Sequence, residues 1–305
     1  MNLNPTALTM RGLIKVHKEC APIRPVVNWR NAPGYKLPQM LVKVLSSHTP
    51  LPFTYNVKNT VQLMDDLLEI PQGHHMKFAS FDISNMYSNI PTGELTAILN
   101  DSCIKNNVDD TTKKEMMKIT QTIISQNYFQ FQDTIYLQKE GLAMGAPTSS
   151  ILSEIYVQHM ENTTIPKLLE KHNIKGYFRY DDILLVYIDN TTNIHKLLDE
   201  FNNLTPKLKF TLEEEQNHQI SFLDITIKKN HKGLSFDIYR KPTTTYIIIP
   251  KDSCHSNEQK TAAIRYYHVR RRTGGLQQRL YTIPEADCTG INDLLMMSFP
   301  KARNM

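Results

Sequence analysis

A chain of 305 residues, 40% hydrophobic and 9% aromatic, can bury a substantial core in one multi-lobed domain or two lobes, which excludes a largely disordered protein. Its formal net charge is only +5, but the charge is uneven: residues from His231 onward hold 12 Lys/Arg against 6 Asp/Glu, and the first 230 hold 23 against 24. Four cysteines without Cys-x-x-Cys spacing, no signal peptide and no bilayer-length apolar run exclude a disulfide framework, a zinc knuckle and a membrane span, and point to a soluble intracellular protein.

Residues 1 to about 75 start proline-rich, with Pro22 and Pro25 stiffening the backbone around Arg24, and become helical from about Val57. There the apolar positions 57, 61, 64, 67 and 68 follow helical spacing and leave Asp65-Asp66 on a wet face. A strand is predicted around Asp82, in Met76-Lys-Phe-Ala-Ser-Phe-Asp82-Ile-Ser-Asn-Met-Tyr87-Ser-Asn-Ile-Pro91. Helices follow over 93–106 and 111–125, the second begun by Asp109-Asp110, whose acids suit the positive end of the macrodipole. Strand structure is predicted over 127–137. Next comes Glu140-Gly141-Leu-Ala-Met-Gly145-Ala-Pro147-Thr-Ser-Ser150, a loop whose glycines let the backbone approach a ligand closely. Thr148 to Ser150 offer N-caps for a helix over 150–162 with Ile151, Leu152, Ile155 and Tyr156 inward. Two strands over 177–188, a helix over 193–203 and strand structure over 220–227 follow. Beyond Pro242 a loop leads to a helix from about Asn257 to Arg272, stopped by Gly274-Gly275. Alternation of this kind suits an α+β sheet with helices on one face.

Asp181 and Asp182 stand out from the other paired acids because aromatic and β-branched residues flank them on both sides, in Gly176-Tyr-Phe-Arg-Tyr-Asp-Asp-Ile-Leu-Leu-Val-Tyr-Ile188. Such flanks favour a hairpin, and adjacent carboxylates at its tip can hold a hard divalent cation. Asp82 supplies a third carboxylate, and three can bridge two ions. Magnesium prefers oxygen ligands and keeps waters and substrate phosphates in its shell. When a hydroxyl attacks the α-phosphate of a nucleoside triphosphate, one metal lowers the hydroxyl's pKa and the other neutralises the leaving pyrophosphate. Taken alone, the glycine loop is an ordinary loop-to-helix junction and Tyr87 a core tyrosine. The basic residues Arg240, Lys241, Lys260, Arg265, Arg270, Arg271, Arg272 and Arg279 form either a solubilising helix face or a surface that neutralises nucleic-acid phosphates. Arg270 to Arg272 would also make a weak nuclear-localisation signal.

In order, the stretches Gly12-Leu-Ile-Lys-Val-His-Lys18, Ile23-Arg-Pro-Val-Val27, Phe81-Asp-Ile-Ser-Asn-Met-Tyr-Ser-Asn-Ile-Pro91, Gly141-Leu-Ala-Met-Gly-Ala-Pro147, Arg179-Tyr-Asp-Asp182, Ile220-Ser-Phe-Leu-Asp-Ile225 and Tyr239-Arg-Lys-Pro-Thr243 span most of the chain. Together they resemble the reverse transcriptase domain of Penelope-like retroelements, retrotransposons whose polymerase is related to telomerase reverse transcriptase. The resemblance implies an RNA-directed DNA polymerase with the right-hand fold: fingers over 1–75, a palm over 76–245 with an antiparallel sheet backed by helices, and a short thumb over 246–305. It implies Asp82, Asp181 and Asp182 as the catalytic, metal-binding triad for two Mg2+ ions, with Mn2+ as a substitute. Lys15 and Arg24 would contact the triphosphate, Tyr87 would lie beneath the incoming sugar, and Gly141 and Gly145 would pack on the templating base pair. Arg240, Lys241, Arg265, Arg270, Arg271 and Arg272 would grip the nucleic-acid backbone. The implied partners are an RNA template, a DNA or RNA primer and dNTPs, and the implied location is nuclear.

The chain departs from that pattern in places. The family sets one residue between the tyrosine and the aspartate pair, as in Tyr-Val-Asp-Asp, whereas Tyr180 abuts Asp181. A one-residue deletion in a strand flips its side chains. Either the deletion is absorbed before Tyr180 and the acids stay in place, or the hairpin is distorted and metal binding suffers. Ile14 replaces a proline and Ala146 a serine. No GIY-YIG endonuclease motif is present, and the first motif falls close to residue 1, so the ends of the family's architecture are expected to be absent. The rival reading is a catalytically degenerate or domesticated remnant that binds nucleic acid without polymerising. A viral-type RNA-dependent RNA polymerase shares paired aspartates but fits Tyr87 poorly.

Overall fold

The computed structural model describes residues 7–14, 22–29, 32, 34–71, 73, 75–231, 233–239, 249, 252–262 and 264. In chain order its elements are β1 (Met10–Ile14), β2 (Ile23–Val27), α1 (Lys36–His48), α2 (Thr60–Glu69), β3 (Met76–Ser84), α3 (Met86–Asn89), α4 (Thr92–Lys105) and α5 (Asp110–Ser125). They continue with β4 (Tyr128–Phe131), β5 (Thr134–Leu137), α6 (Ser149–Thr163), α7 (Ile165–Lys171), β6 (Gly176–Tyr180), β7 (Asp182–Ile188), α8 (Ile194–Asn202), β8 (Lys209–Glu214), β9 (Gln219–Phe222), β10 (Ile225–Asn230) and β11 (Gly233–Ile238).

The sheet that organises the chain is antiparallel, in the order β6-β7-β3-β8. β3 lies inside it, and its side chains alternate between two apolar clusters. Ala79, Phe81 and Ile83 join Ile183, Leu185 and Tyr187 of β7 in the larger cluster, with Leu95 and Leu99 of α4, Leu152 and Tyr156 of α6, and Leu197 and Phe201 of α8. Met76 and Phe78 join Leu184 and Val186 in the smaller cluster, roofed by Leu63 and Leu67 of α2 and by Ile220, Phe222 and Ile227 of β9 and β10. Burial on both faces explains why β7 reads as a nearly continuous apolar run rather than an alternating one. Phe81 sits edge-on to Phe201, ring centroids 5.3 Å apart, and burying such a ring contributes about 1.5–3 kcal/mol.

The predicted elements around Asp82, over 127–137, 177–188 and 220–227, and the helices from 93, 111, 150 and 193, all form within a few residues of their expected limits. Asp109 caps α5 as its position suggested, accepting a hydrogen bond from the Thr112 amide at 2.9 Å. Asp65 is exposed on α2. The capping expected at the start of α6 is different: the Thr148 side chain makes no cap bond, and Ser149 Oγ instead donates to the Ala143 carbonyl at 2.6 Å. That bond ties the helix to the glycine loop rather than to its own first turn. The unpredicted elements have readable causes. α1 carries Pro38 in its first turn, where the missing amide proton costs nothing. β8 alternates Phe210 and Leu212 with polar residues on an edge too short to register as a pattern. Among the described residues no helix is long and apolar enough to cross a membrane.

Candidate active site

The aspartates meet through strand register. β3 and β7 pair from Met76↔Ile188 to Phe81↔Ile183, and the next step of that register sets Asp82 alongside Asp182. Both belong to the face of Phe78, Leu184 and Val186, because side chains alternate along a strand. Their carboxylates therefore leave the same side of the sheet, past the end of the smaller cluster and opposite the face packed on α4, α6 and α8. Residues opposed in this way have Cβ atoms roughly 4.5–5.5 Å apart. Thr211 of β8 flanks Asp82 on its other side.

Asp181 alone joins β6 to β7. Tyr180 pairs with Asp182, and Asp181 takes a left-handed backbone, φ +61°. Asp tolerates that conformation better than most side chains. Burial, and then the nearby Glu154 carboxylate, push the Asp181 carboxyl above its ordinary pKa, while Arg179 and Arg24 pull it down. Arg24, exposed on β2, is thus close enough to feel the acid turn.

The glycine loop touches one of the other predicted residues, Tyr87, and the strand that carries another, Arg24. Gly141 is buried at φ +77°, and a Cβ there would strike the Ser88 carbonyl. Beside it, the Leu142 amide donates to the Tyr87 carbonyl at 2.6 Å, fixing the half-buried Tyr87 on α3. Gly145 sits at φ +110°, and a Cβ there would strike the Val27 carbonyl. The Val27 amide donates to Met144 O at 2.8 Å. The loop is held between the strand that carries Arg24 and the turn that carries Tyr87, and both glycines are there because backbone fills the space of a side chain.

Sequence reasoning passed over Arg179, Glu154 and Glu161. Arg179 is 2% exposed; its Nε donates to Glu161 at 2.6 Å, and Nη1 and Nη2 reach the two Glu154 oxygens at 2.9 and 2.8 Å. Nη2 also reaches Asn56 Oδ1 at 3.0 Å, and Tyr177 OH donates to Glu161 at 3.1 Å. Burial pushes Glu154 up, but hydrogen bonds and charge from Arg179 override it and leave that carboxyl below its ordinary range. For Glu161 burial wins, and its carboxyl ends above that range. The available signal was Glu154, Gln158 and Glu161 at helical spacing along α6, a polar stripe on the side where Gln158 and Glu161 are buried.

Among the described residues no three acid, histidine or cysteine side chains are gathered closely enough to hold a metal ion as they stand. The donor chemistry fits a hard cation all the same: oxygen ligands only, two on one face of adjacent strands and a third in the turn. Lys15, Arg240, Lys241, Arg265, Arg270, Arg271 and Arg272 lie outside the described residues; of the predicted C-terminal helix, 257–262 are helical.

The profile of the family described as reverse transcriptase (RNA-dependent DNA polymerase) matches residues 16–246. No curated protein matches the chain significantly. Among solved structures, telomerase from Candida tropicalis in complex with a TWJ fragment of telomeric RNA superposes with a TM-score of 0.56 at 11% identity, over 94% of this chain and 57% of that one. Telomerase from Candida albicans with the same kind of fragment gives 0.52 at 13% identity, over 93% and 58%. Apo telomerase from Candida tropicalis, truncated from its C-terminal domain, gives 0.52 at 12% identity, over 77% and 56%. The chain thus spans a little over half the length of these structures. At such identities the likeness is one of fold, a right-hand polymerase core with antiparallel sheets.

Proposed function

We propose, from the premise that this chain belongs to the reverse transcriptase (RNA-dependent DNA polymerase) family, that it extends a primer 3′-hydroxyl with deoxynucleotides along an RNA template, as the polymerase of a Penelope-like retroelement. The observation that carries the reading is the register that sets Asp82 beside Asp182 on one face of the sheet, with Asp181 in the turn between. These three acids are assigned to two magnesium ions, which when bound would activate the primer hydroxyl and neutralise charge on the departing pyrophosphate. Residues 1–75, 76–245 and 246–305 take the roles of fingers, palm and thumb.

Each remaining residue has work suited to its chemistry. Arg24 offers a planar guanidinium to triphosphate oxygens and shares the electrostatic neighbourhood of Asp181. Gly141 and Gly145 bring backbone close to the templating pair. Tyr87, held through its carbonyl by the glycine loop, is assigned the exclusion of a 2′-hydroxyl. Replacing Tyr87 with Ala is expected to narrow the preference for deoxynucleotides over ribonucleotides, read as the ratio of kcat/KM for the two, with primer–template affinity unchanged. An unaltered ratio removes Tyr87 from this role.

The test of the function is incorporation of labelled deoxynucleotide on a primed RNA template in magnesium. Extension is expected, lost on chelation with EDTA and restored by magnesium or manganese. The one-residue link between Tyr180 and Asp182 supports a second reading, a non-polymerising remnant that binds nucleic acid. A folded protein that extends no primer on any template, yet binds nucleic acid in a salt-sensitive way, decides for the remnant.

A further inference from the structure

β6 is the outermost strand of its sheet and pairs within it only with β7, so one side of the acid hairpin depends on what fastens β6 from outside. The fastening is concentrated at Arg179, two residues before Asp181. Its amide donates to the Tyr55 carbonyl at 2.9 Å, and its carbonyl accepts from the Val57 amide at 3.0 Å. Its side chain runs inward to Glu154 and Glu161, two turns apart along α6, and to Asn56. Glu161 is 1% exposed, so this end of the pair is inaccessible to solvent. The guanidinium fork engages both Glu154 oxygens, which fixes its plane as well as its position. α6 in turn is anchored to the glycine loop through Ser149.

The geometry points to Arg179 as a positioning residue: it locks the edge strand to α6 and so fixes the single-residue turn that carries Asp181, one of the three acids assigned to a divalent cation. The inference rests on the assignment of those three acids to metal. Arg179 touches no substrate and carries no chemistry; it sets where a ligand sits. Outer partners of this kind typically change metal affinity by 10–100-fold when lost. Glu154 is part of the lock twice over, because it holds the guanidinium and, unpaired, would repel Asp181.

The test measures Mn2+ binding to the free protein by the EPR signal of unbound Mn2+, together with amide hydrogen exchange over 176–188. In Arg179→Gln, Mn2+ affinity is expected to fall about 10–100-fold, and exchange around Asp181 to quicken while β3 and α8 keep their protection. Arg179→Lys, which keeps the charge but loses the fork, is expected to recover part of the affinity. A folded Arg179→Gln protein with wild-type Mn2+ affinity and wild-type exchange overturns the proposal. Should that variant fail to fold, Asn56→Ala removes one partner and leaves both carboxylates; quickened exchange at the turn with weakened Mn2+ binding supports the lock, and wild-type values for both overturn it. A separate control isolates the underlying assignment: Mn2+ binding that survives Asp82→Asn and Asp181→Asn unchanged defeats the metal site itself, whereas binding that needs the aspartates but ignores Arg179 defeats only the positioning role.

Discussion

Asp181→Asn is expected to cut primer extension on an RNA template by on the order of a thousand-fold while leaving the protein as stable as before, or more so. The rate loss follows from charge. A carboxylate ligand helps stabilise transition-state charge through bound metal by several kcal/mol, and each ~1.4 kcal/mol is a factor of ten. The amide keeps the shape of the side chain and gives up that contribution. Stability moves the other way for local reasons. Asn is at home at φ +61°, so the turn is not strained by the change. Burial and Glu154 disfavour the Asp181 charge, and a neutral side chain escapes both. Asp182→Asn should lose rate similarly. Single-turnover extension and a denaturant titration on the same samples check the two halves separately; an undiminished rate in Asp181→Asn sinks the assignment of the catalytic acid.

Gly141→Ala is the second large effect, and it acts through backbone. At φ +77° an alanine carries strain of about 1–3 kcal/mol before any contact is considered. Its Cβ would also strike the Ser88 carbonyl, which belongs to α3 and has no flexible end to yield. The loop must shift, and the Leu142 amide would pull on the Tyr87 carbonyl as it goes. The expected result is a lower denaturant midpoint, slower extension and altered discrimination between deoxynucleotides and ribonucleotides together. Gly93→Ala supplies the contrast: it lies in the first turn of α4 with nothing within 4 Å of a new Cβ, and is expected to be neutral or slightly stabilising. Equal behaviour of the two variants would show that the loop accommodates a side chain and does not hold Tyr87.

Local chemistry made much of this legible. Strands dense in aromatic and branched residues, a helix begun by Asp109 and a glycine loop before an apolar helix all announce themselves within ten or fifteen residues. Asp82, Asp181 and Asp182 were visible as carboxylates in strand and turn contexts, and strand register supplies the relation between them that composition cannot. The less legible features depend on distant partners. Glu154 and Glu161 look like solvated helix residues until Arg179 arrives from another strand, and Asn56 joins them from across the chain. The direct Tyr180-Asp181 junction left two outcomes open in the sequence, acids kept in place or a distorted hairpin. β7 is held in register by pairing with β3 and by burial on both faces, and Asp181 alone makes the turn before it.

The bond between Arg179 and Asn56 joins positions 123 apart in sequence, and those to Glu154 and Glu161 close shorter loops of 25 and 18. Closing the long loop costs more entropy than closing the shorter ones, by about 0.6 kcal/mol for each doubling of length, so local pairing of β6 with β7 and docking on α6 can precede the link to Asn56 during folding. The segment around Asn56 leaves the ribosome before the hairpin does, so the edge of the sheet is covered only once β6 has been made and has reached it.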